Sequence, residues 1–144
     1  SSVMLFRDQK DDAYARIDKG DHFEIYPVRS KAFKRWITHQ YYSQFQKPPG
    51  AQAVADAVGL AEAKAQFEGQ NLPVFLRIAH KDNIYVDLGD DKWRVVEITT
   101  AGWSVLNKSP VVFRRPNGMK SLPTPKKSKD GLCNILKLFG FKHK

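Results

Sequence analysis

Near residue 70 the hydrophobic period of this chain changes from that of a helix to that of a strand, so two kinds of secondary structure are expected in separate blocks. Upstream, in SKAFKRWITHQYYSQFQ, Phe33, Trp36, Ile37, Tyr41 and Phe45 share one helical face. Ser30 is placed to cap that helix, because its hydroxyl can accept from an otherwise orphaned N–H, and Pro48–Pro49–Gly50 stops it. A second helix is expected over Ala51–Glu68, with Val54, Val58, Ala61 and Ala65 on its inner stripe and Gly69 as a C-terminal cap.

Downstream, Pro73–Ala79, Ile84–Leu88, Trp93–Thr99 and Ser104–Leu106 read as consecutive short strands. Asp82–Asn83, Gly89–Asp90–Asp91 and Ala101–Gly102 supply the turns, which makes the block a β-meander. Trp93 and Trp103 lie at corresponding places in two of these strands and are expected in the core. Ahead of the helices, Ala13–Ile17 and His22–Val28 flank an acidic turn whose Gly20 can adopt positive φ, the pattern of a hairpin. The fold class is therefore α+β: an N-terminal β-hairpin, two α-helices, an antiparallel β-meander and a basic C-terminal tail.

Charge divides the chain unevenly. The formal net charge is +9, yet residues 1–107 carry 14 Lys/Arg against 14 Asp/Glu. The excess lies in residues 108–144, where Asp130 is the single acid. PNGMKSLPTPKKSKDG then reads as an extended linker, so an α+β domain over 1–116 and a basic tail over 117–144 are expected. Leu132, Ile135, Leu136 and Phe139 stand at helical spacing and suggest a short helix in that tail. No apolar run is long enough to span a membrane, and no signal peptide is visible. Cys133 stands alone, so the fold needs no disulfide and the cytoplasm is the expected compartment. Ser1 in place of an initiator methionine points to a piece of a longer chain.

Catalytic chemistry is not expected. His22, His39, His80 and His143 lie far apart, which argues against a metal site. Neither G-x-S-x-G nor a nucleotide-binding glycine motif occurs, and no cofactor is expected. Asp87, Asp90 and Asp91 form the one dense acid group. Asp90 and Asp91 suit a turn, whereas Asp87 sits within a strand, where an ion pair with Arg77 would be within reach.

The cations offer a better lead. Arg29, Lys31, Lys34 and Arg35 open an acid-free stretch, and on the first helix Lys31, Lys34 and Arg35 fall away from the apolar face. Lys108, Arg114, Arg115, Lys120, Lys126, Lys127 and Lys129 continue the series in the tail. Such residues can hold phosphates, releasing counterions as they do so.

The run FLRIAHKDNIYVDLGDDKWRVVEITTAGWSVLNKSPVVFRRPNGMKSLPTP, preceded by IYPVRSKAFKRWI and KPPGAQAVADAVGLAEAKAQF, is distinctive. It resembles the segment before the P-loop ATPase core in primase–helicase-like replication proteins of phages, prophages and other mobile elements. The resemblance covers nearly all of residues 3–125. KKSKDG stands where that segment ends on Gly-Gly in the family. The resemblance implies a parent protein that unwinds or primes DNA with ATP, with the ATPase motifs outside this chain. Two roles follow as expectations. One is a non-catalytic DNA-binding accessory domain partnered with DNA and with the ATPase domain of its parent. The other is a structural adaptor or oligomerisation module that joins primase and ATPase parts without touching DNA.

Overall fold

The computed structural model describes residues 2–130. Val3–Arg7 (β1) pairs antiparallel with Ala13–Asp18 (β2), which pairs antiparallel with Phe23–Pro27 (β3). The expected hairpin is β2–β3, and β1 is an addition to it. Strand alternation does not announce β1, because both its faces are covered: Leu5 packs toward the helices while Met4 and Phe6 pack on the opposite side. A strand buried on both faces reads as a continuous apolar run.

Lys31–Phe45 (α1) starts where expected, with Ser30 Oγ accepting from the Phe33 N–H at 3.2 Å. Ala51–Phe67 (α2) follows the prolines. The two helices cover one face of the first sheet, where Ala15, Ile17, Val28, Phe33 and Val58 form a core. Gln70–Asn71 (β4) then pairs parallel with β1, giving the order β3-β2-β1-β4. Gly69 makes this possible through space rather than through a left-handed cap. A Cβ there would collide with the Ala65 carbonyl and sit 3.0 Å from the Phe6 Cα.

The strand expected over Pro73–Ala79 is broken. Arg77 adopts φ 65°, so Val74–Phe75 (β5) and Ile78–His80 (β6) belong to different sheets. Strand β6 opens the meander with Ile84–Asp87 (β7), Val95–Thr99 (β8) and Gly102–Leu106 (β9), all antiparallel in the order β6-β7-β8-β9. Strand β5 instead pairs parallel with Val112–Phe113 (β10). This two-stranded ribbon fills the space between the sheets. Val112 joins Phe6, Tyr14 and Ile25 beneath the first sheet, and Phe113 joins Ala79, Tyr85 and Val95 beneath the second. The class is α+β.

Packing continues past residue 116, where the domain was expected to end. The Leu122 N–H donates to the Leu88 carbonyl at 2.7 Å, Arg77 Nη2 donates to the Lys120 carbonyl at 2.7 Å, and Arg94 Nη2 reaches Thr124 Oγ1 at 3.1 Å. The short helix suggested for Leu132–Phe139 lies outside the described residues.

Candidate nucleic-acid interface

The cations singled out in the sequence separate into two groups. Three of them are engaged within the fold. Arg29 gives a two-point hydrogen bond to Glu62, 2.6 Å at each oxygen, and so ties the start of α1 to α2. That contact holds the Glu62 carboxyl below its ordinary pKa. Lys108 lies 3.6 Å from the Asp18 carboxylate, and its ammonium stands 4.7 Å from the Phe23 ring centroid.

Arg115 is the clearest correction to the expected set. Its Nε and Nη2 donate to Asp87 Oδ2 and Oδ1 at 2.9 and 2.6 Å, its Nη1 donates to the Asp90 carbonyl, and its guanidinium lies 3.9 Å from the Trp93 ring centroid. With Asp87 only 1% exposed, this guanidinium is committed to the interior and is not free to hold a phosphate. Asp87 therefore pairs with Arg115 and not with Arg77, which donates to the Asp87 carbonyl at 3.2 Å instead. Asp90 is held by Arg94 at 2.6 Å, and Asp91 is exposed in the turn.

The remaining eight are Lys31, Lys34, Arg35, Arg114, Lys120, Lys126, Lys127 and Lys129. All are exposed, and none forms an ion pair among the described residues. Four of the eight line concave surfaces, Arg114 one and Lys126, Lys127 and Lys129 another.

The first is a groove of about 310 Å³ lined by Tyr26, Ser30, Ala32, Trp93 and Arg114. It joins the beginning of α1 to the segment after β10, so Arg114 stands near the positive end of the helix dipole. Beside it, Tyr26 donates to Glu24 at 2.9 Å. Burial and that bond push its phenol well above the ordinary value, against the pull of Arg115 and Arg35. Tyr26 is thus a neutral hydrogen-bond donor at physiological pH.

The second is an open trough of about 860 Å³ along β9, lined by Glu97, Trp103, Ser104, Lys126, Lys127 and Lys129. Trp103 was expected in the core but is 38% exposed. Its register explains why. Trp103 opposes Ile98 and Ile98 opposes Ile84, so the three share the outer face of the second sheet, away from Tyr85 and Val95. Ile84 and Ile98 are 43% and 40% exposed. The two-residue turn before Gly102 holds this register in the fold, and the register decides which side of β9 meets the core.

Among the described residues, no group of three or more His, Cys, Asp or Glu is arranged to hold a metal ion, and no helix is long and apolar enough to cross a membrane. No protein-family model, curated protein or solved structure matches this chain.

Proposed function

We propose that this chain is a non-catalytic accessory domain that holds DNA by its phosphates, within a mobile-element helicase or primase-helicase. The observation that carries the reading is the separation of the cations. Arg29 and Lys108 are paired with acids at the surface and Arg115 with an acid in the interior, while eight others stay exposed without an acidic partner among the described residues. Arg114 shares a groove with Ser30 and Ala32 at the start of α1, which supports phosphate binding at that end of the helix. Contacts of this kind orient nucleic acid without reading its sequence.

The test is fluorescence anisotropy of labelled single- and double-stranded DNA with the full chain at several salt concentrations. The expected result is affinity that falls linearly on log–log axes, with a duplex slope of roughly 0.9 per phosphate neutralised. Absence of binding at low salt would remove this reading.

A second reading, a structural adaptor that joins the primase and ATPase parts, is favoured by the exposed Ile78, Ile84 and Ile98 on the outer face of the second sheet. It predicts self-association, or capture of the parent's ATPase domain, that is abolished in Ile98→Glu. Sedimentation velocity distinguishes these outcomes from a solitary monomer.

A further inference from the structure

We infer that the trough along β9 is a binding site for single-stranded nucleic acid, with an unpaired base on Trp103 and the backbone along Lys126, Lys127 and Lys129. The inference rests on the DNA-binding reading above and adds to it the form of the strand.

Three features of the trough point the same way. The first is the ring itself. Trp103 stands on β9, an edge strand of its sheet, with Ile98 as its cross-strand neighbour, and it is left 38% exposed. Every base has a π-face, so an exposed indole accepts any of them, but only when the base is unpaired and its face is free. A duplex keeps those faces inside its own stack and could meet the trough by its phosphates alone.

The second is the placement of charge. Lys126, Lys127 and Lys129, from the segment after β10, line the trough together with β9 and make no ion pair among the described residues. Lysine is a compact point charge on a flexible stem, suited to following a backbone of variable geometry. The acid in the trough, Glu97, already accepts from the Tyr85 hydroxyl at 2.9 Å. Its charge repels phosphate from the β9 side and favours the lysine side. The trough therefore has a polarity, with bases toward Trp103 and phosphates toward the tail.

The third is continuity. Trp103, Ile98 and Ile84 form an apolar stripe across three strands. Ile98 and Ile84 are not part of the trough lining but extend the apolar surface beside Trp103 on its own face of the sheet. The trough is open to solvent, and its volume of about 860 Å³ leaves room for more than one base.

The experiment compares an oligo(dT) single strand with a mixed-sequence duplex of equal length, both binding the full chain, by anisotropy and by intrinsic tryptophan emission. The single strand is expected to quench the emission. Trp103→Ala is expected to weaken single-strand binding roughly 5- to 100-fold, as removal of a stacking platform does, and to change duplex binding by less than about twofold. Trp103→Phe keeps a ring and is expected to retain most of the affinity, which separates stacking from damage to the sheet. Lys126→Glu/Lys127→Glu is expected to weaken binding of both forms.

Equal weakening for single strand and duplex in Trp103→Ala would overturn the inference and leave phosphate binding intact. So would single-strand binding that leaves the emission unchanged. An emission change that follows protein concentration rather than oligonucleotide would assign the face to a second copy of the chain and also overturn it. Failure of both nucleic acids to bind would remove the DNA-binding reading together with the inference.

Discussion

Arg115 and Asp87 form a two-point ion pair, 2.9 and 2.6 Å, that joins the segment after β10 to the end of β7. The pair lies inside the fold, with side-chain exposures of 13% and 1%. Removing one partner from such a pair leaves a buried charge without compensation. Arg115→Ala is therefore expected to cost about 3–5 kcal/mol of stability, read as a lowered urea midpoint. Arg115→Lys should recover only part of this, because an ammonium cannot reproduce the planar fork or its stacking on Trp93.

The exposed cations of α1 should behave in the opposite way. Lys34→Glu/Arg35→Glu is expected to leave the urea midpoint nearly unchanged, to weaken DNA binding and to flatten its salt dependence by roughly 0.9 for each phosphate that is no longer neutralised. Arg29→Ala should affect DNA binding much less, since that guanidinium is engaged by Glu62. Anisotropy titrations at several salt concentrations read both effects.

Gly69 tests the joint between helix and sheet. Adding a methyl group forces apart the Ala65 carbonyl and the β1 backbone at Phe6, neither of which is a flexible side-chain end. Gly69→Ala is expected to cost about 1–3 kcal/mol, in line with overpacking elsewhere, and to lower the thermal midpoint. Gly59→Ala serves as the contrast: nothing lies within 4 Å of its added Cβ, and the helix should gain about 1 kcal/mol.

Acid should destabilise the domain through its paired carboxylates. At Asp90 burial works to raise the pKa, but hydrogen bonds from the Arg94 backbone and guanidinium outweigh it and hold the carboxyl low. At Glu62 the hydrogen bond from Arg29 does the same. A carboxyl depressed in the folded state contributes stability that is complete above its unfolded pKa and disappears as pH falls through its folded pKa. With ordinary values of 3.8 and 4.5, the urea midpoint should change little on this account from neutral pH to about 5 and then fall at lower pH. Arg94→Met should remove only the part of the Asp90 dependence that comes from the guanidinium, because the backbone N–H at position 94 still donates to the carboxylate.

Strongly periodic elements were legible without the fold. The α1 stripe over Phe33, Trp36 and Ile37, its Ser30 cap and the proline stop all follow from local chemistry, as do the β2–β3 hairpin and the turns of the meander, whereas Phe45 at the end of the expected stripe is 49% exposed. Elements that depend on a distant partner were not legible. Strand β1 lacks clear alternation because both its faces are covered, and β5 and β10 are two-residue strands that exist only through pairing with each other across a long stretch of chain. Arg77, at φ 65°, breaks what reads as one strand, and no residue type in PVFLRIA signals that break.

The candidate interface divides along the same line. By itself the sequence determined the class of fold, the order of its main elements and the excess of positive charge toward the C-terminal end, because helix and strand periods, caps and net charge are properties of neighbouring residues. Only the tertiary structure decided which cations are free. Arg115 and Arg114 are adjacent and chemically alike, yet one is locked to Asp87 and Trp93 while the other faces a groove beside α1. Only the tertiary structure, too, turned Trp103 outward beside Lys126, Lys127 and Lys129, because facing depends on strand register and on where the chain returns after crossing the sheet.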